Sequence, residues 1–81
     1  MQVQTVKLEI FIPETHVEPL RHALHEAGVG RIGQYDHCLS ITPVTGYWRP
    51  LSGSDPHIGT IGEVSTGTEC KVEANCPIEL V

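Results

Sequence analysis

The stretch at residues 28–50, GVGRIGQYDHCLSITPVTGYWRP, decides how this chain is expected to fold. Its first glycines, Gly28, Gly30 and Gly33, match the G-x-G-x-x-G spacing of dinucleotide-binding proteins. In those proteins a strand enters the glycines and a helix leaves them, so that the helix N-terminus binds the pyrophosphate. Here a helical pattern precedes the glycines and a strand pattern follows. The order therefore favours a helix-ending turn, in which Gly28 caps the helix and the other two glycines allow positive φ. A phosphate cradle of backbone N–H groups beside Arg31 is the alternative.

The sequence before the glycines predicts one strand and one helix. Apolar residues alternate over residues 6–12, which is typical of a strand with one buried face. Pro13 ends this strand, and Thr15 with Glu18 forms a T-x-x-E capping box ahead of helical spacing. The apolar stripe of the predicted helix consists of Val17, Leu20, Leu24 and Ala27.

The sequence after the glycines predicts two further strands and a long loop. Residues 39–42 are expected to form a short second strand, and residues 43–50 continue it as an extended or looped excursion. Residues 51–65, LSGSDPHIGTIGEVS, are rich in glycine, serine and proline and indicate a long loop, which in a small domain is more often functional than idle. Alternation returns over residues 68–76. The chain is thus predicted to be one βαββ domain over residues 1–81.

A weak internal repeat suggests that this architecture is incomplete. Residues 8–13, LEIFIP, align with residues 72–77, VEANCP, at the glutamate, the proline and the apolar positions. The first copy continues from strand through proline into a helix. We therefore expect residues 77–81 to be the stub of a second helix, with the following helix and strand of the repeat absent. A sheet with one helix and an exposed last strand needs cover from more chain or from another subunit.

Composition limits the classes of partner. Ten acidic residues against five basic ones give a formal charge of −5, which argues against nucleic acid and anionic membrane surfaces. The sequence shows no signal peptide and no apolar run of the ~20 residues that a membrane span needs, so a cytoplasmic location is expected. A chain of 81 residues buries only about 60–65% of its unfolded surface, which favours oligomerisation. If Cys70 and Cys76 share one strand, they lie about 20 Å apart, so reduced thiols are expected.

One group of side chains has the chemistry of metal ligands. Asp36, His37 and Cys38 are adjacent, and His57 and Cys70 offer further ligands elsewhere. Adjacent strand residues point to opposite faces, so His37 and Cys38 cannot easily share an ion. A genuine site would need ligands from distant segments or from neighbouring subunits. A polar turn with one buried cysteine is the simpler interpretation.

Two other patterns bear on metal binding or catalysis. His22 and His25 form an i, i+3 pair that could chelate a metal, although solvated histidines beside carboxylates explain the pattern more simply. Cys38 follows His37, but adjacency in sequence is not the spatial arrangement that activates a thiolate. The sequence therefore predicts no stand-alone enzyme, no catalytic residue and no cofactor.

The aromatic and cationic residues near the end of the opening stretch suggest contacts. Tyr47, Trp48 and Arg49 are adjacent, and these residue types are enriched in the cores of protein interfaces. We interpret Tyr47 and Trp48 as interface candidates, with a stacking platform for a ligand as the alternative. The candidate cleft for a small anion is formed by Arg31, Tyr35, His37 and Arg49.

Three blocks of the sequence together resemble a known family. They are HEAGVGRIGQYDHC at residues 25–38, TPVTGYWRPL at residues 42–51 and GSDPHIGTIGE at residues 53–63. They are similar to the small inserted domain of the NIF-three-like family (NGG-one-interacting-factor-three), a domain that also occurs alone in short bacterial proteins. The resemblance extends over residues 6–81.

The resemblance implies a ferredoxin-like α+β domain, similar to CutA and the P-II signalling proteins and commonly assembled as a trimer. The family's GTP-cyclohydrolase-type label and two-metal centre belong to flanking domains, so no residue here inherits those ligands. In the family the domain continues into a second helix and strand with an H-P-Y-E-like end, which this sequence lacks. We expect a non-catalytic homo-oligomeric module that binds a small anion or regulates a partner. The alternative is a metal-binding protein that uses His37, His57 and cysteines from several subunits.

Overall fold

The computed structural model describes residues 4–56 and 58–81. These residues fold into one α-helix and one three-stranded sheet. The strands are β1 (Thr5–Ile12), β2 (Ser40–Trp48) and β3 (Ser65–Pro77), and the helix is α1 (Val17–Glu26). Short 3₁₀ turns at Glu14–His16 and Ile78–Leu80 follow β1 and β3. The prediction of an α+β architecture is confirmed.

The strand order in the sheet is β1–β3–β2, with β3 antiparallel to both neighbours. The expectation that the last strand would be an exposed edge is therefore wrong. The crossover through α1 leaves β1 and β2 parallel with a gap between them, and β3 fills that gap. At 13 residues β3 is long enough to pair with β2 from Ser65 to Glu73 and with β1 from Cys70 to Pro77.

One face of β3 forms the core. The predicted alternation is confirmed, because Cys70, Val72, Ala74 and Cys76 are all buried. Val29 joins Ala74 and Cys76 in a small cluster, and half-buried apolar side chains from β1 and α1 pack around it. No residue of α1 is fully buried. The core therefore lies beneath the end of the helix and does not extend along the whole sheet.

The second strand is longer than its sequence pattern predicts. β2 runs to Trp48, so residues 43–48, expected to be an excursion, are paired with β3. Pro43 and Gly46 lower the apparent strand propensity of this segment. Both are tolerated because β2 is an edge strand, in which only alternate N–H groups face the neighbouring strand. β3 likewise begins at Ser65 and not at residue 68.

The predicted capping box is not formed. The 3₁₀ turn at Glu14–His16 moves the start of α1 downstream, and His16 becomes the N-cap without a side-chain cap. The Thr15 hydroxyl lies 3.0 Å from Nδ1 of His16 instead of capping the helix. Its pairing with Glu18 is lost because Thr15 precedes the N-cap by one residue.

The C-terminal residues return to the first strand. A single 3₁₀ turn at Ile78–Leu80 occupies the place where a helix was expected to begin. The Ile78 N–H donates to the Gln4 carbonyl at 3.0 Å, and Leu80 lies close to Gly28. This turn therefore closes the side of the domain on which the helix ends.

The domain is extended for its size. Its dimensions are 48 × 29 × 18 Å and its radius of gyration is 16.0 Å, against about 12 Å for a compact domain of this length. Its accessible surface of 6255 Å² exceeds the ~4,800 Å² of a compact monomer of this mass by about 30%. Within residues 4–56 and 58–81, no helix has the length and apolar character needed to cross a bilayer.

Candidate functional site

The glycine-rich connection ends the helix in a Schellman motif. The Val29 N–H donates to the Leu24 carbonyl at 2.9 Å, and the Gly28 N–H donates to the His25 carbonyl at 3.0 Å. Gly28 has φ +90°, the left-handed conformation that this motif needs. Val29 and Leu24 also belong to the same apolar cluster. The interpretation of Gly28 as the helix cap is confirmed.

Gly30 holds the connection against the sheet. Its N–H donates to the Asn75 carbonyl at 2.9 Å, and its own carbonyl accepts from the Cys38 N–H at 2.8 Å. Gly30 has φ +86°, and a Cβ at this position would lie 2.9 Å from the Cys38 carbonyl oxygen. Only glycine lets the two backbone segments approach this closely.

The third glycine forms a tight two-residue turn. Ile32 and Tyr35 exchange backbone hydrogen bonds of 2.9 Å in both directions, with Gly33 and Gln34 between them. Gly33 has φ +58° at the first central position, where type II′ turns favour glycine. The turn sends the chain back toward the end of α1.

A cluster of three side chains forms where the returning chain meets the helix, and we call it the histidine cluster: His25, Asp36 and His37. The potential ligand atoms of these residues all lie within 4.8 Å of one another. The imidazole rings of His25 and His37 stack with centroids 3.7 Å apart and planes 17° apart. His37 has φ +56°, which is uncommon for a residue other than glycine.

Arg21 borders the histidine cluster from the preceding turn of α1. Its Nη1 lies 3.3 Å from Nδ1 of His37, and its Nη2 lies 3.4 Å from Nε2 of His22. Its Nε donates to the Glu18 carboxylate at 2.6 Å. This charged hydrogen bond lowers the pKa of Glu18 below its ordinary value of 4.5. The arginine therefore links the helix carboxylate to the stacked histidines.

A small cavity opens beside the histidine cluster. It has a volume of about 170 Å³, and its lining residues are His25, Gly28, Val29, Arg31 and Asp36. The wall combines the Arg31 guanidinium, the Asp36 carboxylate and the His25 imidazole with the uncharged residues Gly28 and Val29. Such a cavity has room for an ion or a few water molecules, and is smaller than the sites that hold drug-sized ligands.

A larger apolar cleft lies at the opposite end of β2, and we call it the loop cleft. Its volume is about 480 Å³, and its lining residues are Trp48, Arg49, Pro50, Ser54, Asp55, Pro56, Ile58 and Glu69. Trp48 Nε1 donates to the Ile58 carbonyl at 3.1 Å, which ties the long loop to the end of the strand. Tyr47 beside it is 73% exposed and Ile58 is 66% exposed.

A charged cluster lies on the sheet apart from the core. Lys7 and Lys71 place their ammonium groups 2.7 and 3.0 Å from the two carboxylate oxygens of Glu73. Hydrogen bonds from both lysines lower the pKa of Glu73, and the bond to Glu73 raises the pKa of Lys7. Lys7 and Glu73 line a third cavity of about 310 Å³ that also includes Cys38 and Ser40. The ion pair between them links β1 to β3.

The structure separates the residues proposed for an anion cleft. Arg31 lines the small cavity beside the histidine cluster, whereas Arg49 lines the loop cleft. Tyr35 is exposed at the type II′ turn, and His37 stacks on His25. The four residues do not line one cavity among those described within a single chain, and their joint action in an assembly stays a prediction.

The structure also separates the residues that the sequence offered as metal ligands. His37 is drawn to Asp36 and His25, while Cys38 lies outside the histidine cluster, with its thiol 3.6 Å from the Asp36 carbonyl. The argument that neighbouring residues face apart holds only for strands, and residues 36–38 precede β2. His57 lies outside the described residues. All three cysteines are free thiols.

The proximity of His25 to Asp36 could not be predicted from any local sequence pattern. The two residues are eleven positions apart, and His25 had been matched only with His22 on the helix. The available signal was the glycine spacing, since a helix cap followed by a tight turn brings the next segment back to the last helical turn. What it could not show was the positive φ of His37, which turns two adjacent side chains toward one partner.

Together the fold and these sites define a small α+β domain with a glycine-rich connection at one end and an apolar loop cleft at the other. No protein-family model matches the chain. Curated relatives do: it is 38% identical over 71 residues to a Bacillus subtilis protein named "GTP cyclohydrolase 1 type 2 homolog" and 40% identical over 67 residues to a Halalkalibacterium halodurans protein of that name. The matches cover 88% and 83% of this chain and 19% and 18% of those proteins.

A solved structure extends the likeness to the fold. The crystal structure of a Bacillus cereus protein related to NIF3 superposes with a TM-score of 0.82 at 34% sequence identity, covering 95% of this chain and 19% of that one. The resemblance inferred from the sequence is confirmed: the chain is similar to one segment of larger proteins of the NIF-three-like family. It spans about a fifth of the length of the curated relatives it matches.

Proposed function

We propose that this chain is a non-catalytic self-association module, and that the loop cleft is where copies of it meet. The observation that carries the proposal is the apolar surface around the loop cleft. Ile58 in its lining is 66% exposed beside the half-buried Trp48. Tyr47 and Val64, which are next in sequence to the paired residues Trp48 and Ser65, are also at least 66% exposed. Aromatic, aliphatic and arginine side chains of this kind form the centres of protein interfaces.

The thin core supports association with further copies. The buried hydrophobic core among the described residues consists of Val29, Cys70, Val72, Ala74 and Cys76, none of which lies on α1. The accessible surface exceeds that of a compact monomer by roughly 1,400 Å². A standard interface removes about 800 Å² from each partner. The surplus is therefore large enough for each subunit to contact one or two neighbours.

The strand order supports a ferredoxin-like fold of the CutA and P-II type. In that fold a β-α-β crossover leaves room for the third strand between the first two, which matches the order β1–β3–β2 found here. One outer edge of the sheet is β1 and the other is β2, so either edge can accept a further strand. A trimer is the assembly we favour, as the family resemblance implies.

The label of the relatives does not by itself assign chemistry to this chain. Those proteins are named as homologues of a GTP cyclohydrolase, and the chain matches less than a fifth of their length. Within the described residues, no nucleophile is paired with a base in the way that acyl transfer requires. We infer that the segment serves assembly or regulation in such proteins, including through a small anion held by Arg31 or Arg49.

The test is the mass of the 81-residue chain in solution, measured by light scattering during size-exclusion chromatography. We expect the wild-type chain to elute as a multiple of 8.9 kDa, with three copies favoured. The variant Ile58→Asp places a charge in the loop cleft and should reduce the mass to that of one chain. A buried unpaired carboxylate costs several kcal/mol, which is enough to dissociate such an interface.

The matched control is Ile32→Asp, the same substitution at a 51% exposed position in the glycine-rich connection. This variant should keep the wild-type mass. The proposal is overturned if the wild-type chain is a monomer at high micromolar concentration. It is equally overturned if Ile58→Asp leaves the mass unchanged.

A further inference from the structure

The histidine cluster has the composition of a transition-metal site. It offers two imidazole nitrogens and one carboxylate oxygen, the ligand set that zinc and its neighbours in the first transition row prefer. The ligands come from two segments, the last turn of α1 and the connection before β2. We propose that His25, Asp36 and His37 form a mononuclear site for a divalent first-row transition metal, with one ion bound per chain.

The backbone that leads to the site is held in place by several hydrogen bonds and one close contact. The Schellman motif at Gly28 and the close packing of Gly30 on Cys38 return the connection to the end of the helix. His37 is then held at φ +56°, a conformation that is unfavourable for a residue other than glycine. Strain of this kind is concentrated at functional sites, and here it accompanies the convergence of Asp36 and His37 on His25.

The distances are those of a site that needs a small closure. Ligand atoms bound to one zinc ion at 2.0–2.1 Å lie about 3.3 Å apart, whereas these atoms lie within 4.8 Å of one another. Stacked rings 3.7 Å apart cannot both direct an in-plane lone pair at one ion. The imidazoles must therefore rotate about χ2, which is a broad and soft torsion.

The positive charge of Arg21 is expected to weaken the binding of a metal cation at the histidine cluster. An arginine N–H can donate only to an unprotonated ring nitrogen, so its contact at 3.3 Å occupies the Nδ1 lone pair of His37. The partner of a metal-bound histidine is normally an acceptor such as a carboxylate, not a cation. We expect Arg21 to swing away toward Glu18 when the ion binds, and removal of its charge to tighten binding.

The helix pair is the competing site. His22 and His25 are spaced i, i+3 and could chelate an ion without Asp36 or His37. Nε2 of His22, however, lies 3.4 Å from Arg21, and His22 is not part of the histidine cluster. Replacing His22 therefore separates the two sites, because His25 is common to both.

The experiment is a titration of the untagged, chelator-treated 81-residue chain with Zn²⁺ by calorimetry, repeated with Co²⁺ so that its visible absorption reports coordination. We expect one ion per chain and no heat with Mg²⁺, which prefers oxygen ligands. The variant His37→Gly removes a ligand and relieves the strained φ, so it should stay folded. It should weaken Zn²⁺ binding by more than the roughly 10- to 100-fold typical of losing an outer-shell partner.

Two variants complete the test. His22→Ala is the matched control and should bind Zn²⁺ as the wild-type chain does, whereas Arg21→Gln should bind it several-fold more tightly. The proposal is overturned if His37→Gly binds like the wild type, if His22→Ala weakens binding as much as His37→Gly does, or if the stoichiometry is well below one ion per chain. Failure of the self-association test would leave these outcomes unaffected, because all three ligands lie in one chain.

Discussion

The two ends of the sheet differ in what covers them. At one end the helix terminus, the glycine-rich connection and the C-terminal 3₁₀ turn enclose Val29, Ala74 and Cys76. At the other end β2 and β3 continue as a two-stranded ribbon in which Gly46 pairs with Gly67, and among the described residues the long loop contacts it through the Trp48 hydrogen bond. A hairpin without further cover is marginally stable in water. One end is therefore stabilised by packing within the chain, whereas the other is the end that the proposed self-association would cover.

The largest loss of stability is expected from a substitution at Gly30, in the covered end. Substituting Gly30→Ala should lower the free energy of unfolding by about 2–4 kcal/mol, because the left-handed backbone is strained and the new Cβ meets the Cys38 carbonyl oxygen at 2.9 Å. The control Gly33→Ala also places alanine at positive φ but meets no atom within 4 Å, so it should cost only about 1 kcal/mol. Urea denaturation of both variants provides the measurement. Equal losses would contradict the close-packing explanation.

A smaller loss of stability is expected from a substitution at Trp48, in the uncovered end. The variant Trp48→Phe keeps a ring but removes the Nε1 hydrogen bond to the Ile58 carbonyl, a loss of about 1 kcal/mol. The effect should be local, so amide exchange should accelerate in the long loop while amides paired between β1 and β3 stay protected. Tyr47→Phe, at a 73% exposed neighbour, should change neither. Uniform acceleration across the sheet would show that the two ends unfold together.

The smallest expected effect concerns pH and the charged cluster on β3. Because the pKa of Glu73 is lowered in the folded state, its stabilising contribution is fully present above pH 4.5 and is lost as pH falls through the lower folded value. Lys7 has a raised pKa, so its contribution is present below pH 10.5 and is lost as pH rises through the raised folded value. Thermal melts of Glu73→Gln should show a weaker dependence on pH below 4.5 than the wild type. If the pH dependence of the melting temperature is unchanged in Glu73→Gln, the charged cluster does not contribute to acid stability.

Much of the covered end could be predicted from the sequence. The alternation in β1 and β3 and the cap at Gly28 are local patterns, and each is confirmed. The helical stripe is confirmed at Val17, Leu20 and Leu24, whereas Ala27 is exposed at the C-cap. The capping box failed because the 3₁₀ turn displaced Thr15 from the N-cap, a shift of one residue that sequence spacing cannot resolve. The family resemblance was also available from the sequence, through the glycine block and the aromatic block.

The uncovered end and the histidine cluster were less accessible to sequence reasoning. Pro43 and Gly46 obscured the second half of β2, since strand propensity does not reveal which strand lies at an edge. The cluster depends on His37 adopting a positive φ and on His25 lying at the helix end, and neither is encoded in a local pattern. The separation of Arg31 from Arg49 into different cavities is likewise a long-range result.

The sequence by itself determined most of the elements, the core face of β3, the acidic balance and the family resemblance. These properties follow from periodicity, composition and short-range backbone preferences, which act within a few residues. Only the tertiary structure decided that β3 lies between β1 and β2, that the ribbon end is left uncovered, and that His25, Asp36 and His37 converge. These features depend on how segments far apart in the chain pack together. Gly30 combines both levels, because its positive φ is a local preference of glycine and its hydrogen bond to Asn75 is a long-range contact.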